Sequence, residues 1–131
     1  MSSSFRCITS IPVLRMYDES RSIDFYSRLL GYSVDWQHRF RDDPTSPLYV
    51  QVSQGGSTLH LNGHATDKTP ATEVRIAVEG LSEFCLALAE HDWPDGEKPE
   101  AVDPRGEGRK VDLNLIDPAG NFLTFWEKGD D

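Results

Sequence analysis

A chain of 131 residues with 37% apolar side chains and a net charge of −9 has enough material for one core, and no segment is apolar enough to read as a membrane span. The 22 acidic residues against 13 basic ones exclude a sequence-independent nucleic-acid binder, which needs the opposite balance. The same acid excess favours solubility and the attraction of cationic small molecules. The first residues, Met1 to Cys7, lack the apolar stretch of a secretion signal, and two cysteines do not make a disulfide framework, so a cytoplasmic location is expected.

Residues 11–16, Ile-Pro-Val-Leu-Arg-Met, alternate as a short strand. Asp18 then stands where a helix cap belongs. Ile23, Tyr26, Leu29 and Leu30 form one apolar stripe, and Gly31 supplies a left-handed stop. Three strand-like runs follow, Ser33 to Phe40, Leu48 to Ser53 and Thr58 to Asn62, the last two joined by Gln54-Gly55-Gly56-Ser57. The pattern then begins again. Thr72 to Val78 reads as a strand, and Leu81, Phe84, Cys85 and Leu88 read as a second amphipathic helix. Cys85 on that stripe is expected to be a small core residue. A weak run near Ala101 precedes strands at Lys110 to Ile116 and Phe122 to Trp126, joined by Asp117-Pro118-Ala119-Gly120-Asn121.

Sliding the chain on itself by about 64 residues aligns Gly56 with Gly120, Leu59 with Leu123 and Leu61 with Phe125. The strands before the two turns match at 63, which places one extra residue in the second turn. Each half therefore reads βαβββ, with modules at about 8–63 and 72–127 inside a single domain. One helix covers only one sheet face, so two such units leave two faces that can curl into a shared trough. The expected fold is α+β: two curved, mostly antiparallel sheets, helices outside and a concave pocket inside.

Strand alternation assigns the faces. Leu59, Leu61, Leu123 and Phe125 turn toward the helices, which leaves Thr58, His60, Asn62, Phe122, Thr124 and Trp126 on the trough side. Arg15 and Arg75 also point inward. The 64-residue offset makes Ile11, His60, Arg75 and Thr124 the four equivalent central positions.

Residues 11–33, with their strand, their helix and the ending Leu-Leu-Gly-Tyr-Ser, together with the turn Asp117-Pro118-Ala119-Gly120-Asn121, resemble the vicinal oxygen chelate superfamily. That group contains glyoxalase I, extradiol dioxygenases and bleomycin-resistance proteins, and the resemblance spans nearly the whole chain. It implies that metal-dependent members would carry His and Glu ligands at the four central positions. Ile11, Arg75 and Thr124 do not supply them, and a guanidinium at the centre opposes a divalent ion. No metal and no cofactor are therefore expected.

The closest local similarity is to the metal-free bleomycin-resistance proteins, which implies a homodimer holding a cationic glycopeptide antibiotic in a groove between subunits. Gly31 to Trp36 matches the segment where that group places an acidic residue followed by an aromatic. The resemblance thus assigns ligand binding to Asp35, Trp36 and Phe40, with His60, Arg75 and Trp126 lining or flanking the groove. Stacking on Trp36 and Phe40 suits planar ligand parts, and Asp35 suits an ammonium group. Glu107-Gly108-Arg109-Lys110 departs from the group's Trp-Gly-Arg-Glu pattern, with the aromatic lost. A metal-dependent enzyme of the same superfamily, and a carrier of an anionic metabolite centred on Arg75 and Arg15, remain as alternatives.

Overall fold

The computed structural model describes residues 4–66, 68–91 and 112–128. β1 (Val13–Arg15) leads to α1 (Glu19–Asp24), then β2 (Ser33–Arg39), β3 (Leu48–Gln54) and β4 (Ser57–Asn62). A second module follows with three strands among the described residues: β5 (Glu73–Val78), α2 (Leu81–Ala89), β6 (Asp112–Ile116) and β7 (Phe122–Glu127). The first sheet has the order β1-β4-β3-β2 and the second β5-β7-β6. In each, the first strand of the module pairs in parallel with the last, and the other ladders are antiparallel. The weak run near Ala101 lies outside the described residues.

Local chemistry explains the helices. The Asp18 carboxylate accepts the Arg21 amide at 3.0 Å and caps α1, and Gly31 at φ 76° ends the helical path. The expected regular helix is interrupted, because Phe25 to Leu29 widen into a π-type turn closed by the Leu30 amide on the Phe25 carbonyl. Phe25, Tyr26, Leu29 and Leu30 are all buried, continuing the inner face that Ser22 begins. α2 begins at Gly80, which has no capping side chain. Glu127 at the end of β7 serves instead, accepting the Gly80 and Leu81 amides at 3.2 and 3.0 Å.

The strand faces follow the sequence pattern. Leu59, Leu61, Leu123 and Phe125 are buried with Leu14, Val50, Val52 and Leu113 in one core, against which Phe84 and Cys85 also pack. Burial pushes the Cys85 thiol up, in keeping with an inert packing residue. Among the described residues, nothing covers the opposite faces of the two sheets.

The repeat is less regular than one offset. His60 and Thr124 correspond at 64, and Gln51 and Asn114 occupy equivalent places at 63, as expected. In the ladders, however, His60 lies opposite Val13 while Thr124 lies opposite Arg75. The first-strand position equivalent to Arg75 is therefore Val13, not Ile11. The second module holds two more residues between its first and last strands, and a ladder follows hydrogen-bond register rather than chain count.

The modules are joined by the second turn. Asp117 and Asn121 are buried, and the Asp117 carboxylate accepts four hydrogen bonds. Its Oδ1 takes the amides of Ala119 and Asn121, both at 2.9 Å, and its Oδ2 takes the Tyr26 hydroxyl at 2.6 Å and the Asn121 side-chain amide at 2.8 Å. Asn121 also donates to the Arg15 carbonyl at 2.8 Å and accepts the Thr72 amide at 3.0 Å. Arg15 bonds the Ala119 carbonyl at 2.7 Å and the Thr69 carbonyl. A Cβ on Gly120, already at φ 85°, would meet the Arg15 guanidinium at 2.8 Å.

Asn121→Ala is expected to cost about 2–4 kcal/mol, because it strands buried partners on both modules; a fall in the urea midpoint at unchanged slope measures it. The Tyr26 phenol is held far above its usual range, by burial first and by the Asp117 charge second. Its folded pKa is raised, so the stability it contributes is complete below about pH 10 and declines as the pH rises above that value. Urea titrations at pH 9 and 11 should show this loss, and Tyr26→Phe, less stable at both, should lose less between them.

Candidate functional site

The open face of the first sheet gathers the best-defined polar and aromatic cluster. A β-bulge separates Val34, paired with Val52, from Trp36, paired with Gln51, leaving Asp35 as the extra residue. Simple alternation would send Asp35 and Trp36 to opposite faces. The bulge brings both to the open one. Asp35 Oδ1 accepts the Ser53 hydroxyl at 2.9 Å and its Oδ2 accepts the Gln51 amide at 3.0 Å. These bonds, Gln51 first, hold the exposed carboxyl below the usual range, so it stays ionised well into acid.

Trp36 lies parallel to Tyr49, with centroids 6.0 Å apart and planes at 10°, and meets His60 edge-on at 5.3 Å. His60 Nδ1 is 2.9 Å from the Tyr49 hydroxyl and its Nε2 is 2.9 Å from the Gln51 carbonyl oxygen. Partial burial raises the Tyr49 phenol, which remains protonated at neutral pH. With 42% of its surface exposed, Trp36 leaves an aromatic plane open to a ligand.

The six residues singled out in the sequence fall into three groups. Asp35, Trp36 and His60 share this face. Phe40, 66% exposed, stands past the end of β2 with its ring edge-on to His64 at 5.1 Å, so it adds nothing to the Trp36 stack. Arg75 and Trp126 sit together on the open face of the second sheet, the guanidinium 5.7 Å from the indole centroid. Beside them the Thr124 hydroxyl donates to Asn114 at 2.8 Å. Tyr49, Gln51 and Ser53 had no assigned role in the site; their alternation with buried Leu48, Val50 and Val52 is the signal that locates them. Residues 107–110 lie outside the described residues.

The residues at the four central positions, Val13, His60, Arg75 and Thr124, do not fit a divalent ion. Val13 has no donor atom, Arg75 brings a positive charge, and both His60 nitrogens are engaged by neighbours. Among the described residues no three His, Cys, Asp or Glu side chains converge on a point. Arg15, offered by the sequence to an anionic ligand, is committed to the backbone carbonyls of Ala119 in the second module and Thr69 in the segment before it, and lies over the Tyr17 ring at 5.3 Å.

A cleft of about 980 Å³ lies elsewhere, between the β3–β4 turn and the strand β5 with the start of α2, and of the six residues it touches only Arg75. The aromatic cluster is thus an open half-site on a sheet face, not the wall of that cleft.

Two sheets, each with its module's first strand parallel to the last and a helix after the first strand, define a glyoxalase-type fold. A family model described as a glyoxalase superfamily protein matches residues 3–131, and the chain belongs to that superfamily. No significant match is found among curated proteins. Similar solved structures include the bleomycin-binding protein of bleomycin-producing Streptomyces verticillus in complex with copper(II)-bleomycin, at 21% identity and TM-score 0.64, covering 95% of this chain and 99% of that one. TnmS3, an antibiotic binding protein from a Streptomyces species, is similar at 16% identity and TM-score 0.64, covering 95% and 100%. The bleomycin resistance determinant encoded on the transposon Tn5 is similar at 21% identity and TM-score 0.59, covering 93% and 98%. Among the described residues no helix is long and apolar enough to cross a membrane.

Trp36→Ala should lower stability by no more than about 1 kcal/mol, because its side chain is half exposed. The same change should shift the Tyr49 and His60 ring signals in NMR spectra, which reports the stack directly.

Proposed function

We propose that this protein is a non-catalytic, metal-free binding protein of the bleomycin-resistance type, sequestering a cationic, aromatic-bearing antibiotic or a ligand of similar chemistry. The observation that carries this reading is the juxtaposition of an exposed aromatic plane, Trp36 beside Tyr49, with the ionised Asp35 carboxylate on one open sheet face. A flat heteroaromatic ring stacks on the first and an ammonium group pairs with the second. The bleomycin-binding and antibiotic-binding proteins of similar fold support the same reading. The metal-dependent enzyme is disfavoured by Val13, Arg75 and Thr124 at the positions where ligands would be required. A single domain of two modules, at about 8–63 and 72–127, and a cytoplasmic location complete the proposal.

The working form in this reading is a two-fold homodimer. Trp36, Val13, Ile116 and Phe122 are all more than 40% exposed, and Trp36 and Phe122 stand on the open faces of the two sheets. Among the described residues β5 forms a ladder only with β7, leaving its outer edge unpaired in the sheet. Isologous pairing would cover such surface and set the Asp35–Trp36 face of one protomer against the Arg75–Trp126 face of its partner, building two equivalent grooves. An interface above roughly 1,000 Å² is expected.

Titration calorimetry with bleomycin should give saturable binding that weakens with added salt, since exposed charges are screened. Trp36→Ala should weaken it by about 10- to 30-fold, or about 1.4–2 kcal/mol. Absence of heat at low salt would remove the drug assignment and leave the fold intact. Light scattering should return twice the 14.7 kDa chain mass at micromolar concentration; a monomer mass would overturn the shared groove.

A further inference from the structure

The polar cluster on the first sheet has a direction that can be read from its ends. The Asp35 carboxylate can only accept, so Gln51 must turn its NH₂ toward it, at 3.0 Å. The Gln51 carbonyl oxygen is thereby fixed on the other side, 2.9 Å from His60 Nε2. A carbonyl also only accepts, so Nε2 carries the proton. In the neutral imidazole Nδ1 is then the lone-pair nitrogen, and the Tyr49 hydroxyl 2.9 Å away must be its donor. With its O–H engaged as a donor to His60 Nδ1, the Tyr49 oxygen offers only lone pairs to a ligand. Asp35 likewise offers only lone pairs, so both groups flanking the Trp36 plane are acceptors.

We propose that Gln51 and His60 are positioning residues through which Asp35 fixes Tyr49 as a pure acceptor, so that this face selects planar aromatic ligands carrying hydrogen-bond donors, such as amidinium or amino-heterocycle groups, over carboxylates of the same shape. The proposal rests on the ligand-binding reading above and deepens it. Asp35 by itself supplies attraction for any cation; the chain adds a second acceptor at a fixed place, and with it discrimination by hydrogen-bond polarity as well as charge.

Long-range ¹H–¹⁵N correlation spectra of the full chain at about pH 8.5, where an imidazole is neutral, should show His60 as the Nε2–H tautomer. In Asp35→Ala the acceptor that orients Gln51 is gone, so Gln51 is free to turn and the Nδ1–H form should appear alongside. An Nδ1–H tautomer in the wild-type chain, or an unchanged tautomer in Asp35→Ala, would overturn the chain. Benzamidine and benzoate, flat probes of matched shape and opposite polarity, test the selection. Benzamidine should shift the Trp36 and Tyr49 signals and benzoate should not, and Tyr49→Phe should weaken benzamidine about 3- to 10-fold, the loss of one hydrogen bond. Equal binding of the two probes, or an unaltered affinity in Tyr49→Phe, would overturn the selection. If neither probe binds the wild-type chain, the ligand-binding reading fails, while the tautomer result still decides the chain.

Discussion

The structure depends on one buried carboxylate. Asp117 accepts four hydrogen bonds, two from its own turn, one from Asn121 and one from Tyr26 of the other module. Removing a carboxylate from water costs several kcal/mol, and only a full set of donors offsets that cost. The fourth donor, Tyr26, comes from the helical segment of the other module, within the π-type turn that follows α1. A local irregularity in one module and a charged turn in the other thus satisfy each other. The relation between the two open sheet faces follows from this junction, with Asn121 and Arg15 fixing β1 against the turn.

A second irregularity shapes the candidate site. The bulge at Asp35 shortens nothing and adds no new chemistry, but it puts a charge and an aromatic on the same side of a strand. From there the side chains of β3 and β4 order themselves, Ser53 and Gln51 around the carboxylate, then His60, then Tyr49. The resulting face is held by hydrogen bonds while remaining exposed, which leaves little side-chain freedom to lose in any contact made there. The second sheet has a different face, Arg75 over Trp126 with Thr124 bonded to Asn114. The two modules share their strand pairing and differ in the side chains on their open surfaces.

This divergence bears on function more than the shared fold does. The superfamily includes enzymes and binding proteins, so the backbone leaves the activity open. What distinguishes this chain is the residue set at the positions where the two first strands meet the two last: Val13, His60, Arg75 and Thr124. An apolar side chain, an imidazole bonded on both sides, a guanidinium and a hydroxyl cannot converge on a divalent ion.

Much of the architecture was legible in the amino-acid sequence, because burial on one face imposes a period on a strand or helix that survives in the order of residues. The alternation around Leu59 and Leu61, the stripe of Leu81 and Leu88, and the cap at Asp18 each appear where the pattern places them. The repeated strand–helix order and the extra residue in the second turn were legible for the same reason. Three features were decided only in the tertiary structure. Ladder register made Val13 the counterpart of Arg75, because parallel strands far apart in the chain align by hydrogen bonding and not by count. The bulge at Asp35 inverted the face of every residue on one side of it, an effect that strict alternation cannot show. Grouping of the candidate residues was the third: Phe40 was drawn to His64 and Arg15 to Ala119, while Tyr49 and Gln51 joined Trp36 and His60, since side-chain contacts across strands follow from the folded sheet and leave no periodic trace in the chain.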